Sequence, residues 1–204
     1  RCITEDNNGT ILVGGINGLM YFSSDFVTPE DIRFLNMRLK DNDIIQIQTG
    51  TNGKVYLITM SGGLSEIKFD AVNNDSIEIK SYKNQNELFS GGLSCSLLKD
   101  KEGNLWIITK NAISRFEIER NSFENFQGPP FTPLNIIFME STIMEYQGQI
   151  MIGSDLGIFT FDPDNFKKSN YIPSLIFTGI SILGEKEERE IPSGEEIVLK
   201  PKQR

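Results

Sequence analysis

The sequence predicts an all-β protein in which four consecutive β-propeller blades are followed by the first strands of a different β-domain. Three observations predict it. A motif recurs four times at blade-like intervals, the strand inside that motif is continuously apolar, and the motif stops after residue 171. The copies are residues 8–15, 52–59, 102–109 and 147–154. Their turn glycines, Gly9, Gly53, Gly103 and Gly148, stand 44, 50 and 45 residues apart. Propeller blades repeat at about 40–50 residues.

Each element of the repeat has a physical reason. The turn glycines follow Asn, Glu or Gln where a tight hairpin needs positive φ. The second, third and fourth residues after them are apolar in every copy, as in Leu105-Trp106-Ile107. A strand with no polar face needs cover on both sides, and a blade stacked between two others has it. A small residue (Gly15, Thr59, Thr109, Ser154) leads into a second turn carrying Gly18, Gly63, Ala112 or Gly157. An apolar pair on a third strand follows: Leu19 and Phe22, Leu64 and Ile67, Ile113 and Phe116, Ile158 and Phe161. Inner strands are expected at residues 1–5, 44–49, 93–99 and, irregularly, 136–145. Outer strands are expected at 32–39, 77–82, 122–126 and 166–171. The outer strands alternate polar and apolar, as in Ile77-Glu78-Ile79-Lys80, because the blade's edge meets water.

The expected blades are thus about residues 1–40, 41–83, 84–127 and 128–171. After Ile172-Pro173 the pattern changes: Ser174 to Gly184 reads as a strand, Glu185 to Glu190 as a solvated hairpin or loop, and Ile197-Val198-Leu199 as another strand. Two or three strands bury too little to stand alone, so residues 172–204 are expected to be the truncated start of a second domain. The opening Arg1-Cys2-Ile3-Thr4-Glu5 reads as the middle of a strand, which implies a piece of a longer chain.

Composition excludes several function classes. The 204 residues carry 20 basic and 28 acidic groups, a net charge of −8, which disfavours a phosphate backbone as partner. No apolar run reaches the roughly 18–20 residues of a membrane helix. The chain contains no histidine, which removes Ser-His and Cys-His catalysis, His-ligated metals and a phospho-accepting histidine from this segment. Cys2 and Cys95 have neither CxxC spacing nor a disulfide framework, and Cys95, in an apolar stretch, reads as a small buried thiol. Asp162-Pro163-Asp164-Asn165 has too few spaced oxygens for a calcium loop and reads as a β-turn. No catalytic residue, metal site or cofactor is expected.

The stretch Asp100-Lys101-Glu102-Gly103-Asn104-Leu105-Trp106-Ile107-Ile108-Thr109, followed by Ala112-Ile113-Ser114-Arg115-Phe116, resembles the two-component regulator propeller repeat. Asp6-Asn7-Asn8-Gly9 keeps the opening Asp; the second copy has Gly50 there, the fourth has Glu145 near it, and only the third has the tryptophan. Residues 173–199 resemble the start of the immunoglobulin-like Y-Y-Y domain that follows such propellers. The resemblance implies the periplasmic sensor region of a Bacteroidetes hybrid two-component system histidine kinase. Such a receptor senses oligosaccharide, acts as a homodimer, and passes the signal through the Y-Y-Y domain to a kinase and to transcription. The implied partners are an oligosaccharide, the remaining blades and the Y-Y-Y domain, without nucleic-acid contact or membrane insertion by this segment. The alternatives are a protein-interaction scaffold and a polysaccharide-active propeller enzyme.

Propellers commonly meet ligands through loops at one end of the channel. Loops joining second to third strands carry Asn17, Lys110, Asn111 and Asp155, whose amides and charges suit hydroxyl groups; turn chemistry alone also accounts for them. Phe131, in the proline-stiffened connector Gly128-Pro129-Pro130-Phe131-Thr132-Pro133, is either a binding element at the rim or a connector tucked over the neighbouring blade. These five are the candidate ligand-binding residues. Trp106 lies inside a continuously apolar strand, so packing between blades is the favoured reading over a sugar-stacking platform.

Overall fold

A computed structural model of the chain describes residues 1–23, 33–35, 39, 41–61, 63–69, 77–82, 93–167, 180–181 and 188–189. All regular structure among them is β-strand. Four antiparallel sheets follow one another. The first contains β1 (Cys2–Glu5), β2 (Thr10–Gly15), β3 (Gly18–Ser23) and β4 (Arg33–Leu35); the second β5 (Ile44–Thr49), β6 (Val55–Thr59), β7 (Gly63–Phe69) and β8 (Ile77–Ser81). The third contains β9 (Ser94–Lys99), β10 (Leu105–Thr109), β11 (Ile113–Glu117) and β12 (Ser122–Phe126); the fourth β13 (Phe138–Tyr146), β14 (Gln149–Ser154) and β15 (Gly157–Phe161). Each sheet is a simple meander in chain order, as a propeller blade requires. Of the expected fourth outer strand, Phe166 and Lys167 are irregular and the rest lies outside the described residues.

The chain divides into two compact units, residues 1–167 and 168–204. In the second, β16 (Ile180–Ser181) pairs antiparallel with β17 (Glu188–Arg189). The expected boundary at 171, the expected strand at 197–199 and, apart from Ile180 and Ser181, the expected strand at 174–184 lie outside the described residues.

Strand alternation assigns side chains to the spaces between blades. Leu12 and Leu19 of the first blade meet Ile47, Val55, Leu57 and Ile67 of the second in one buried cluster. Tyr56, Ile58 and Leu64 of the second meet Leu97, Leu105, Ile107 and Phe116 of the third. Trp106, Ile108 and Ile113 of the third meet Ile150, Ile152 and Phe161 of the fourth. Odd and even positions of one strand thus serve different neighbours, which is why the strand is apolar throughout. Each such Leu or Ile contributes about 1.5–3 kcal/mol of burial.

The four repeat glycines all have positive φ, but they close two kinds of turn. In the third blade, the Asp100 side chain accepts the backbone N–H of Glu102 (3.0 Å) and Asn104 (2.8 Å), fixing a five-residue loop. Asp6 does the same for Asn8 and Thr10. In the fourth blade Tyr146 pairs directly with Gln149, leaving a two-residue hairpin of Gln147 (φ 51°) and Gly148 (φ 78°); positive φ at both residues is the type I′ signature.

Candidate functional site

The loops that join second to third strands all lie at one end of the blades, and four of the sequence candidates are there. Asn17, Lys110, Asn111 and Asp155 are exposed. The backbone of these turns ties each to the chain entering its own blade and, at Lys110, to the next blade. Lys110 N–H donates to Leu93 O (3.2 Å), and Lys110 O accepts Phe138 N–H (2.8 Å). Asp155 N–H donates to Ile137 O (2.9 Å), and Asp155 Oδ1 accepts Ile137 N–H (2.9 Å). Lys110 and Asp155 are therefore brought to either side of Ile137-Phe138, while Asn17 stands two blades from Lys110. The fifth candidate, Phe131, is half-buried against the third cluster, its ring 5.1 Å from Phe126 and 5.5 Å from Phe166. It sits as a tucked connector.

Trp106 is fully buried. Its ring lies 5.0 Å from Phe161, and its indole N–H donates to Asp100 Oδ2 at 2.9 Å. Cys95 is buried, with its thiol directed at Phe138 O (3.6 Å), and burial pushes it up to about 11. Both carboxylate oxygens of Asp162 are taken by its own turn, from Asp164 N–H (2.9 Å) and the Asn165 amide (2.7 Å). Among the described residues no group of three metal-ligating side chains converges.

At the opposite end of the blades, a cleft of about 480 Å³ opens between the third and fourth blades. Asn104 comes from the Asp-cornered loop, Arg115 and Glu117 from β11, Arg120 from the turn after it, and Asp164 and Lys167 from the fourth blade. Arg115 bonds Glu117 (3.2 Å) and Glu124 (2.8 Å), with its guanidinium 5.8 Å from the centre of the Trp106 ring. Its Nε is buried and has no hydrogen-bond partner among the described residues. Arg120 pairs with Glu117 at 3.0 Å, and Lys101 with Asp164 at 2.9 Å. The charges are largely paired, so the lining offers fixed donors and acceptors rather than a strong field of one sign. Such a surface suits a neutral, hydroxyl-rich molecule.

The turn that forms one wall of the cleft is anchored to the second blade. Asn121, next to Arg120, accepts Lys80 Nζ (2.9 Å) at Oδ1 and lies 2.8 Å from Tyr82 Oη. Tyr82 also bonds Glu66 (2.8 Å), and Lys54 bonds the other Glu66 oxygen (2.6 Å). Burial alone would raise the Glu66 carboxyl, but its bonds from Lys54 and Tyr82, with the charges of Lys54 and Lys80, hold it below the usual range. Burial, and then the Glu66 carboxylate, push the Tyr82 phenol far up; burial pushes Tyr56 up to about 12.

The repeat pattern did not disclose this cleft, although one signal was present. Arg115 and Glu66 occupy the same position of the third strand, where the other copies have Tyr21 and Thr160. A charge between two buried neighbours is the informative kind of exception.

No family model and no curated protein matches the chain. Among solved structures it is similar to the extracellular domain of BT3049, assigned as a hybrid two-component system of B. thetaiotaomicron. The two share 24% identity over 96% of this chain and 26% of that one, with a TM-score of 0.69. It is similar also to the extracellular domain of BT4673, assigned likewise, at 17% identity over 82% of this chain and 23% of that one, TM-score 0.65. A catalytically inactive histidine-to-alanine variant of virginiamycin B lyase from Staphylococcus aureus shares 16% identity over 89% of this chain and 58% of that one, TM-score 0.50. The chain spans about a quarter of the two extracellular domains. Identities this low establish the fold: the chain is a run of β-propeller blades.

Proposed function

We propose that this chain is a ligand-sensing part of an extracytoplasmic receptor of the hybrid two-component kind, located in the periplasm, and that it responds to an oligosaccharide. The observation that carries this reading is the match of 96% of the chain to the extracellular domain of BT3049. The cleft, whose charges of both signs stand beside the Asn104 amide, supports a hydroxyl-rich ligand. In this reading the signal passes through an immunoglobulin-like Y-Y-Y domain begun by residues 172–204, toward a histidine kinase. A ligand moves such a receptor only by binding one arrangement of it better than another.

An enzyme is the rival class, because the lyase shares the fold. That lyase is inactive when a histidine becomes alanine, and this chain has no histidine with which to repeat such chemistry.

Calorimetry against a panel of neutral and uronic oligosaccharides tests the reading. We expect binding that weakens about tenfold or more in the Arg120→Ala, Lys167→Ala variant, since each lost charge-assisted bond is worth about 1.5–3 kcal/mol. Asn17→Ala, at the other end, is expected to leave it unchanged. Loss on Asn17→Ala alone places the ligand at the opposite end, and no binding to any glycan contradicts the sensing role.

A further inference from the structure

Tyr82 carries a single phenolic proton, yet two oxygens stand within its reach. Glu66 Oε2 and Asn121 Oδ1 each lie 2.8 Å from Tyr82 Oη, and a phenol has one hydrogen to donate. The ring is not free to swing between them. It is 3% exposed, its centre lies 5.0 Å from that of Phe116 and 5.6 Å from that of Phe123, and the Tyr82 backbone N–H donates to Leu64 O at 2.8 Å. Only the proton turns.

The carboxylate takes that proton. Burial works against the charge on Glu66, but the bonds from Lys54 and Tyr82, with the charges of Lys54 and Lys80, hold its carboxyl below the ordinary range, so it is ionised at neutral pH. A hydrogen bond to an ionised acceptor is about twice as strong as a neutral one. Asn121 Oδ1 is then left facing a phenol oxygen that gives it no hydrogen. Its bond from Lys80 Nζ, at 2.9 Å, is exposed, where water competes for both groups. Asn121 closes the turn whose Ile118, Glu119 and Arg120 line the cleft, and its own N–H donates to Ile118 O at 3.3 Å.

We propose that Glu66 of the second blade is a positioning residue for the cleft between the third and fourth: it withholds the Tyr82 proton from Asn121 and so leaves the 118–121 wall loosely held. Neutralising Glu66 turns the bond around. In Glu66→Gln the amide oxygen keeps the Lys54 bond, Nε2 donates to Tyr82 Oη, and the phenol donates to Asn121 Oδ1. That this wall meets a ligand rests on the function proposed above; the direction of the Tyr82 bond does not.

Amide hydrogen exchange of the whole chain tests the bond without a ligand. Glu66→Gln is expected to slow exchange at Asn121 by about threefold to tenfold, the worth of one neutral hydrogen bond, although it removes a charge from the network. Tyr82→Phe in the wild-type background is expected to leave that rate unchanged, because the phenol gives Asn121 nothing there. Added to Glu66→Gln, it is expected to abolish the slowing. Faster exchange at Asn121 in Tyr82→Phe alone, no slowing in Glu66→Gln, or a slowing that survives the added phenylalanine overturns the proposal. Calorimetry with the same oligosaccharide panel reads the consequence for the cleft. An oligosaccharide that binds the wild type is expected to bind Glu66→Gln about threefold more tightly, since a wall already held loses less freedom on binding; equal affinity overturns the positioning role. Binding to neither protein contradicts the sensing role, and the exchange rates then decide the direction of the Tyr82 bond by themselves.

Discussion

At the scale of single residues, the repeat drifts in matched pairs. Asp100 serves the third blade because it fixes its turn and receives the indole N–H of Trp106 at 2.9 Å. The second blade has Gly50 and Tyr56 in those places. A Cβ on Gly50 would lie 2.6 Å from Tyr56 Cε2, so the ring fills the space that the aspartate takes in the third blade. There Asn52 substitutes for the missing carboxylate, accepting Lys54 N–H (3.2 Å) and donating to Tyr56 Oη (3.0 Å). Gly50→Asp alone should cost about 1–3 kcal/mol by overpacking. Combined with Tyr56→Trp it should cost less than the sum of the two single changes, because the carboxylate then has an indole to bind; urea unfolding of the double-mutant cycle measures this. The tyrosines carry a pH prediction. Tyr56 is pushed up to about 12 and Tyr82 further, from an ordinary value of 10.0. The folded state therefore keeps phenol protons that the unfolded chain loses. Stability is whole below about pH 10 and falls as pH rises from there, by up to about 1.4 kcal/mol per pH unit for each tyrosine. Tyr82→Phe should flatten that slope in thermal melts taken across the alkaline range.

At the scale of elements, the inner strands are held by side chains across their open edges. Gln46 Oε1 accepts Leu97 N–H (2.8 Å), Gln48 Nε2 donates to Leu97 O (3.5 Å), and Lys99 Nζ bonds Thr49 O (2.6 Å). Polar residues on these strands satisfy groups that a sheet edge would otherwise leave unpaired. Gln46→Leu strands the Leu97 amide and should cost about 1–3 kcal/mol, with faster hydrogen exchange at Leu97 as the local readout. The strands themselves were legible in the sequence: the expected inner strand at 44–49 and outer strands at 77–82 and 122–126 match β5, β8 and β12 to within a residue. The irregularity expected at 136–145 is a register shift between Phe138 and Ile143, where Thr142 Oγ1 bonds Met139 O (2.9 Å). Apolar runs and turn glycines announce themselves because each is fixed by its neighbours in the chain. The cleft was not legible, because Asn104, Arg120 and Lys167 become neighbours only when blades stack, and the turns carrying Arg120 and Lys167 lie outside the repeated pattern. Phe131 was legible as a residue of interest, yet its two readings differ only in what covers it, which is a tertiary fact.

At the scale of the whole molecule, alternate residues of each blade serve opposite neighbours, so the fold is a chain of nearest-neighbour interfaces whose stability accumulates blade by blade. The same alternation explains the all-apolar strands and the buried Trp106. Methyl nuclear Overhauser spectroscopy tests it most directly. The account predicts cross-blade contacts within three separate groups: Leu12 and Leu19 with Leu57, Ile58 and Leu64 with Ile107, and Ile108 and Ile113 with Ile152. Contacts that join the odd and even residues of one strand to a single neighbour, or a spectrum with helical shifts in these segments, would contradict it.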